Sequence, residues 1–155
     1  MAGGLPDFGT PEIVPVRAGC APKCNKCGRV CPTGAIRSLP LDIKRRTSIG
    51  TAKHIDTICL PRSETENCTV CHDTCREVGR NAIHFEDRMV YYRNPEDEWD
   101  EISMLFEIPV VDPERCVGCG MCVTACNRAN VRQRKVLPEP AIKVKPRKVQ
   151  VLQKV

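Results

Sequence analysis

The sequence predicts a small α+β fold that repeats one unit: strand, cysteine-bearing loop, short helix, return strand. The cysteines are expected to staple it through what they bind. Three observations predict this. The 12 cysteines among 155 residues fall into three runs of four with none left over. An Ala–Ile pair follows each run, at Ala35-Ile36, Ala82-Ile83 and Ala141-Ile142, and reads as the start of a strand. The composition is also poor in core-forming material, with 4% aromatic residues and 13 prolines and 10 glycines breaking any long periodic segment. A hydrophobic core alone would be thin, so bound metal is expected to hold the fold.

The third run supplies the template. Cys116, Cys119, Cys122 and Cys126 are spaced C-x2-C-x2-C-x3-C, the spacing with which bacterial ferredoxins hold a [4Fe–4S] cubane. A cubane presents four iron corners in a small volume, and thiolates at every third residue wrap three of them from one short loop. Gly118 and Gly120 are expected to let the backbone approach the sulfides and to leave amide N–H groups for cluster sulfur. The first run, Cys20, Cys24, Cys27 and Cys31, adds one residue in its first gap. The second, Cys59, Cys68, Cys71 and Cys75, has an insertion in the same gap. The expectation is therefore a bacterial-ferredoxin-like fold with three [4Fe–4S] clusters, their iron bound through these twelve cysteines.

Other uses of so much sulfur fit less well. Disulfide scaffolds stagger their cysteines along the chain, whereas these stand in compact runs. Zinc ribbons use two C-x2-C knuckles separated by a dozen or more residues, so a zinc-binding structural scaffold is the weaker alternative. The formal charge of +5 points at first to nucleic acid. Twelve ligating thiolates and three oxidised cores would bring it to about −1, which makes the basic residues counterions to buried clusters. Stacking aromatics for single strands are missing as well. No run is long and apolar enough for a membrane helix, and no signal peptide is visible, so the expected location is cytoplasmic, or periplasmic if the chain is exported with a partner.

Taken in order, residues 1–18 read as an N-terminal arm, with Ile13 to Val16 as a short edge strand broken by Pro15. Residues 19–90 read as a two-cluster ferredoxin-like domain. Within it, Pro32 stops the first helix, and residues 39–50 carry Lys44, Arg45 and Arg46 on a solvated loop or a patch for an acidic redox partner. Thr51 to Asp56 reads as a strand leading to Cys59, and Leu60 to Asn67 as polar loop. A short helix through Cys71 and Cys75 precedes a strand over residues 82–85. Residues 91–145 read as a hairpin plus a third cluster module. Met89 to Tyr92 and Ile102 to Val111 are its strands, with Glu98 and Trp99 at the tip as a loop cap or docking point. Residues 146–155 are a C-terminal basic tail, whose alternation from Lys143 onward reads as a half-buried strand able to grip another subunit.

Among His54, His72 and His84, only His72 directly follows a cysteine and would be placed to replace one as ligand, but the cysteines already account for themselves. No nucleophile–base pair, phosphate loop or paired-carboxylate site is present, so no catalytic residues are expected and the chain is read as no enzyme by itself.

Several stretches carry a family resemblance: Ile49 to Ala52, Ile55-Asp56, Cys59-Leu60-Pro61, Cys68 to Cys71, and Asp112 with Cys116 to Cys122. They resemble polyferredoxin subunits accompanying molybdenum and tungsten oxidoreductases, over roughly residues 19–145. The nearest pattern is that of the ferredoxin subunits of periplasmic nitrate reductase and methylamine utilisation. Small subunits of the tungsten aldehyde oxidoreductase class, including those serving benzoyl-CoA reductase, look similar. The resemblance implies electron transfer to or from a catalytic oxidoreductase subunit, or another electron-carrying protein. A free-standing soluble polyferredoxin carrier is the alternative. Larger relatives often have a fourth cysteine set upstream and exported ones a twin-arginine signal. Both are absent here, which implies three clusters and a cytoplasmic tungsten-type partner. Cys75 and Cys126 also lack the following proline.

In two-cluster ferredoxins the fourth cysteine of each run crosses to the other cluster. On that basis Cys20, Cys24, Cys27 and Cys75 are expected around one cubane, and Cys59, Cys68, Cys71 and Cys31 around a second. Cys116, Cys119 and Cys122 would then be closed by Cys126, four residues on along a helix. In the alternative, the third set pairs with one of the first two and a different set stands alone.

Overall fold

The computed structural model describes residues 13–93 and 101–151, the side chains of 101 and 148–151 excepted. Its described elements are α1 (Lys26–Val30), α2 (Leu41–Arg46), β1 (Thr47–His54), α3 (Val70–Glu77), β2 (Ile83–Arg93), β3 (Glu101–Val111), α4 (Met121–Cys126), a π-helical turn (Asn127–Gln133) and β4 (Ile142–Val151). β1 pairs antiparallel with β4, from Thr47 opposite Val151 to His54 opposite Ile142, with an irregularity between Ser48 and Gly50. β2 and β3 form the expected hairpin, from Ile83 opposite Val111 to Arg93 opposite Glu101. Its tip, with Glu98 and Trp99, lies outside the described residues. Both sheets join residues from either side of position 90, where the sequence reading divides the chain.

The core is small, and cysteine is its commonest residue. Cys59, Cys71, Cys116, Cys122 and Cys126 are buried together with Ala52, Leu60, Ala82, Ile83, Val123, Leu137, Ala141 and Ile142. The second and third Ala–Ile pairs are thus core residues at the mouths of β2 and β4, as their place in the repeat predicts. Alternate residues of β1 are buried and small, Ser48, Gly50 and Ala52. That lets the strand lie against the loop of the third run, where Ile49 N–H donates to the Val117 carbonyl at 3.1 Å. β4 fastens the same loop. Arg147 donates to the Ser48 hydroxyl at 2.8 Å and to the Cys116 and Pro113 carbonyls at 3.1 and 3.2 Å.

Four local expectations are corrected. Residues 39–50 are not a loop: Leu41–Arg46 is helical, with Asp42 in its first turn and Lys44, Arg45 and Arg46 in its last, the order that complements a helix dipole. β1 consequently begins at Thr47 rather than Thr51. Ala35-Ile36 starts no strand, since Gly34 turns the chain at φ +68° between Pro32 and Pro40. Ile13 to Val16 forms a turn, not an edge strand, closed by Arg17 N–H to the Val14 carbonyl at 2.9 Å. It does lie over the protein as an arm, because the Pro15 and Val16 carbonyls accept from Thr124 Oγ1 at 2.6 Å and Asn127 Nδ2 at 3.0 Å. The strand expected from residue 143 onward does form, and it pairs with β1 of its own chain.

Candidate metal centre

α3 packs against α4, and this contact arranges the sulfur. Cys59, Cys68, Cys71 and Cys126 line one cavity, together with His54, Leu60, Asn130 and Ile142. Cys75, Cys116, Cys119 and Cys122 line a second, together with Ala52, Arg80, Ala82 and Gly118. α3 therefore delivers Cys71 to one cavity and Cys75, one turn later, to the other. α4 does the same with Cys122 and Cys126. The expected grouping is corrected here: Cys75 does not join the first run, Cys31 does not join the second, and Cys126 does not close its own set. The crossing is between the second and third runs, because theirs are the helices that pack side by side.

Taking these thiols out of water works against their ionisation. Burial pushes Cys59 up to about 11, and holds Cys71 and Cys122 well above the usual thiol range. Cys75, Cys119 and Cys126 are raised for the same first reason. Neighbouring thiolates add to the effect in each quartet. Four thiolates held so close in a dry interior need a cationic core among them.

The surroundings fit such a group. Ala52 and Ala82 N–H each lie 3.4 Å from a sulfur, Cys116 and Cys75 respectively. Asn130 Nδ2 reaches Cys68 at 3.6 Å and Cys126 at 3.9 Å. Donors aimed at sulfur stabilise ligating thiolates. Arg80 carries the one buried side-chain polar atom without a hydrogen-bond partner among the described residues, its Nε. It lines the second cavity, where an anionic centre would answer it. Among the described residues no group of three or more His, Cys, Asp or Glu side chains is arranged for a single metal ion; the thiols stand around cavities, as a multi-iron core requires.

Gly118 and Gly120 do take positive φ, +72° and +75°. Their close neighbours, however, are parts of the chain. A Cβ on Gly118 would lie 2.6 Å from Gly50 N, and one on Gly120 would lie 2.7 Å from Pro15 Cβ.

The first run is arranged differently. Cys20 and Cys27 line a third cavity with Asn25, Lys44, Arg80 and Cys119. Cys20 N–H donates to the Cys119 carbonyl at 2.7 Å, tying the first run to the third. Cys24 and Cys27 are exposed. The Ile36 N–H at 3.5 Å and the Thr33 hydroxyl at 3.6 Å face Cys31 Sγ and lower its pKa to about 7.

Of the histidines, His72 lines none of these cavities. Its ring packs on Phe85 at 4.6 Å and its Nδ1 lies 3.1 Å from Asp73. His54 is the one at the sulfur, with Nε2 3.6 Å from Cys71. Burial first, and Arg62 second, lower its pKa to about 4. Sequence reasoning singled out neither Asn130 nor Arg80. The only signal for Asn130 was its place four residues beyond Cys126, on the same helical face.

Residues 65–130 match the family described as the 4Fe-4S dicluster domain. That stretch holds Cys68, Cys71 and Cys75 with the whole third run, and none of the first. The chain carries a ferredoxin-type 4Fe–4S dicluster domain. Seven of the eight cysteines of the two crossed quartets lie in that stretch, and Cys59, just before it, completes them. The chain is related to the methylamine utilization ferredoxin-type protein MauM. It is 33% identical to that of Methylobacillus flagellatus over 123 residues, 79% of this chain and 43% of the relative. It is 31% identical to that of Paracoccus denitrificans over 143 residues, 91% and 54%. The ferredoxin-type protein NapG of Haemophilus influenzae is 29% identical over 120 residues, 77% and 36%. These relatives bear the names of ferredoxin-type proteins, none that of a catalytic subunit. The chain spans about half the length of the curated relatives it matches. No solved structure matches it.

Proposed function

We propose that this protein relays single electrons through three [4Fe–4S] clusters to or from the catalytic subunit of an oxidoreductase of molybdenum or tungsten type. Bound, each cubane supplies reversible one-electron chemistry at little structural cost. In this reading Cys59, Cys68, Cys71 and Cys126 hold one cluster, and Cys75, Cys116, Cys119 and Cys122 a second. Cys20, Cys24, Cys27 and Cys31 hold a third, and Cys31 stays with its own run. The observation that carries the reading is the exchange of Cys75 and Cys126 between buried quartets, which sets two centres against one another across the α3–α4 contact. The tie from Cys20 to Cys119 supports a place for the first run beside the second centre.

The chain's other residues exclude water, donate to sulfur and supply counter-charge; none is asked to make or break a substrate bond. A permanent partner is supported by the outer half of the β2–β3 hairpin. Met89, Tyr91, Tyr92, Ile102, Met104 and Leu105 are all exposed there, more apolar surface than a ribbon in water needs. Twelve cysteines with no disulfide among them, needed reduced until they take up iron, suit a reducing compartment, and the proposed location is the cytoplasm. A free-standing carrier is the second reading, favoured by the exposed Cys24 and Cys27, which leave the first run open to a diffusing partner.

Iron analysis of oxygen-free protein tests the cofactor count, with about twelve irons per chain expected. Cys126→Ser and Cys59→Ser should perturb the same paramagnetic signal, and Cys75→Ser that of Cys116→Ser. Zinc in place of iron would end the reading. Native size-exclusion separates the partner hypotheses, because a carrier elutes alone.

A further inference from the structure

Asn130 is 2% exposed, the most deeply buried amide side chain among the described residues. It lies in the π-helical turn that continues α4, a local widening marked by Arg134 N–H donating to the Ala129 carbonyl at 2.9 Å. Such turns recur at functional sites. Here the turn brings the Asn130 amide against the first quartet, with Nδ2 3.6 Å from Cys68 Sγ and 3.9 Å from Cys126 Sγ.

The orientation of that amide is chemically fixed. Arg134 Nη1 lies 3.0 Å from Asn130 Oδ1, and a guanidinium has no acceptor. The oxygen must therefore face Arg134 and the NH2 the sulfurs. Arg134 is itself gripped by both carboxylate oxygens of Glu66, at 2.7 and 2.6 Å. The result is a chain from the surface inward: Glu66 positions Arg134, Arg134 polarises the amide, and the amide donates to two thiolates of one centre. Hydrogen bonds in series strengthen one another in a dry interior. Among the described residues no side-chain amide faces the second quartet in this way; the backbone amides of Ala52 and Ala82 donate to it instead.

We propose that Asn130 raises the reduction potential of the centre held by Cys59, Cys68, Cys71 and Cys126, with Arg134 and Glu66 as the positioning residues behind it. The physical basis is charge. Reduction adds one electron to the cluster and its thiolates, and a donor to sulfur stabilises the reduced state more than the oxidised one. This inference rests on the proposed assignment of that quartet to a cubane.

The test is a redox titration of the reconstituted full chain, followed by paramagnetic resonance so that each centre is read separately. Asn130→Leu keeps the side-chain volume and removes the donor. The expected result is full iron content and a lower potential for the Cys59 centre alone, by about tenfold in its reduction equilibrium, or ~59 mV. Arg134→Leu lies at the surface and leaves the core packed, so it decides the matter if Asn130→Leu does not assemble. It should give a smaller shift of the same sign at the same centre, and Arg134→Lys should restore part of it. Unchanged potentials with full iron, or equal shifts at every centre, would overturn the role of Asn130. Wild-type protein without iron at that quartet would instead overturn the cubane assignment, and the two failures are distinguishable by iron analysis.

Discussion

At the scale of single residues, the site works by placing neutral donors and excluded charge around sulfur. His54 shows the principle. It is held neutral beside Cys71, its pKa lowered from 6.5 to about 4 by burial and then by Arg62. A base with a depressed folded pKa contributes stability that is present above its unfolded value and lost as pH falls through the folded one. The unfolded chain takes up this proton near pH 6.5, while the folded chain resists until about pH 4. Stability should therefore fall across that window, and His54→Gln should flatten the fall. Thermal midpoints of cluster loss measured from pH 7 to pH 4 check this; parallel profiles for the two proteins would show that His54 carries none of the slope. The sequence listed His54 among three histidines but gave it no role, because nothing local reveals that β1 carries it against Cys71.

At the scale of elements, the informative contact lies between β1 and the loop of the third run. Gly118 sits at φ +72°, and a Cβ there would stand 2.6 to 2.7 Å from three backbone atoms of Gly50. Backbone on both sides leaves nothing soft to yield. Gly118→Ala should cost at least about 2 kcal/mol, from the strained φ and the forced separation of loop and strand. The measurement is the rate of iron release to a chelator, which should rise for the Cys116 centre before the other. An unchanged rate would mean that loop and strand part freely. Sequence spacing marked Gly118 as special for its backbone freedom, and Gly118 does line the second cavity. Its close approach to Gly50 was not foreseen, because that neighbour comes from β1, which pairs with β4 at the far end of the chain.

At the scale of the whole molecule, five buried cysteines stand among the thirteen residues of the core cluster, and there is little else to bury. A core of aliphatic residues around buried thiols is a poor folding nucleus without metal. Removal of iron should therefore unfold the region around both buried quartets, not merely empty it. Amide exchange on the iron-free protein tests this, with protection at Ala82, Ile83, Val123 and Ile142 expected to vanish. Retained protection would show that the chain folds on its packing alone. The first run, with Cys24 and Cys27 exposed, should lose its iron most readily.

Much of this architecture was legible because it is local. Cysteines two and three residues apart share a loop whatever surrounds them, and the amino-acid sequence by itself determined that sulfur would gather in ferredoxin fashion. The buried Ala–Ile pairs at 82–83 and 141–142 and the pairing of residues 89–92 with the strand over 102–111 followed from the same short-range patterns, whereas the merging of 83–85 and 89–92 into one long strand did not. What only the tertiary structure decided is which helices lie side by side. Because α3 packs on α4, Cys75 and Cys126 change quartets, Asn130 is turned onto the sulfurs and the Arg80 Nε is left buried beside the second centre. Beyond the four-residue step from Cys126 to Asn130, no spacing along the chain encodes those meetings, since they depend on elements that approach only after the chain has folded.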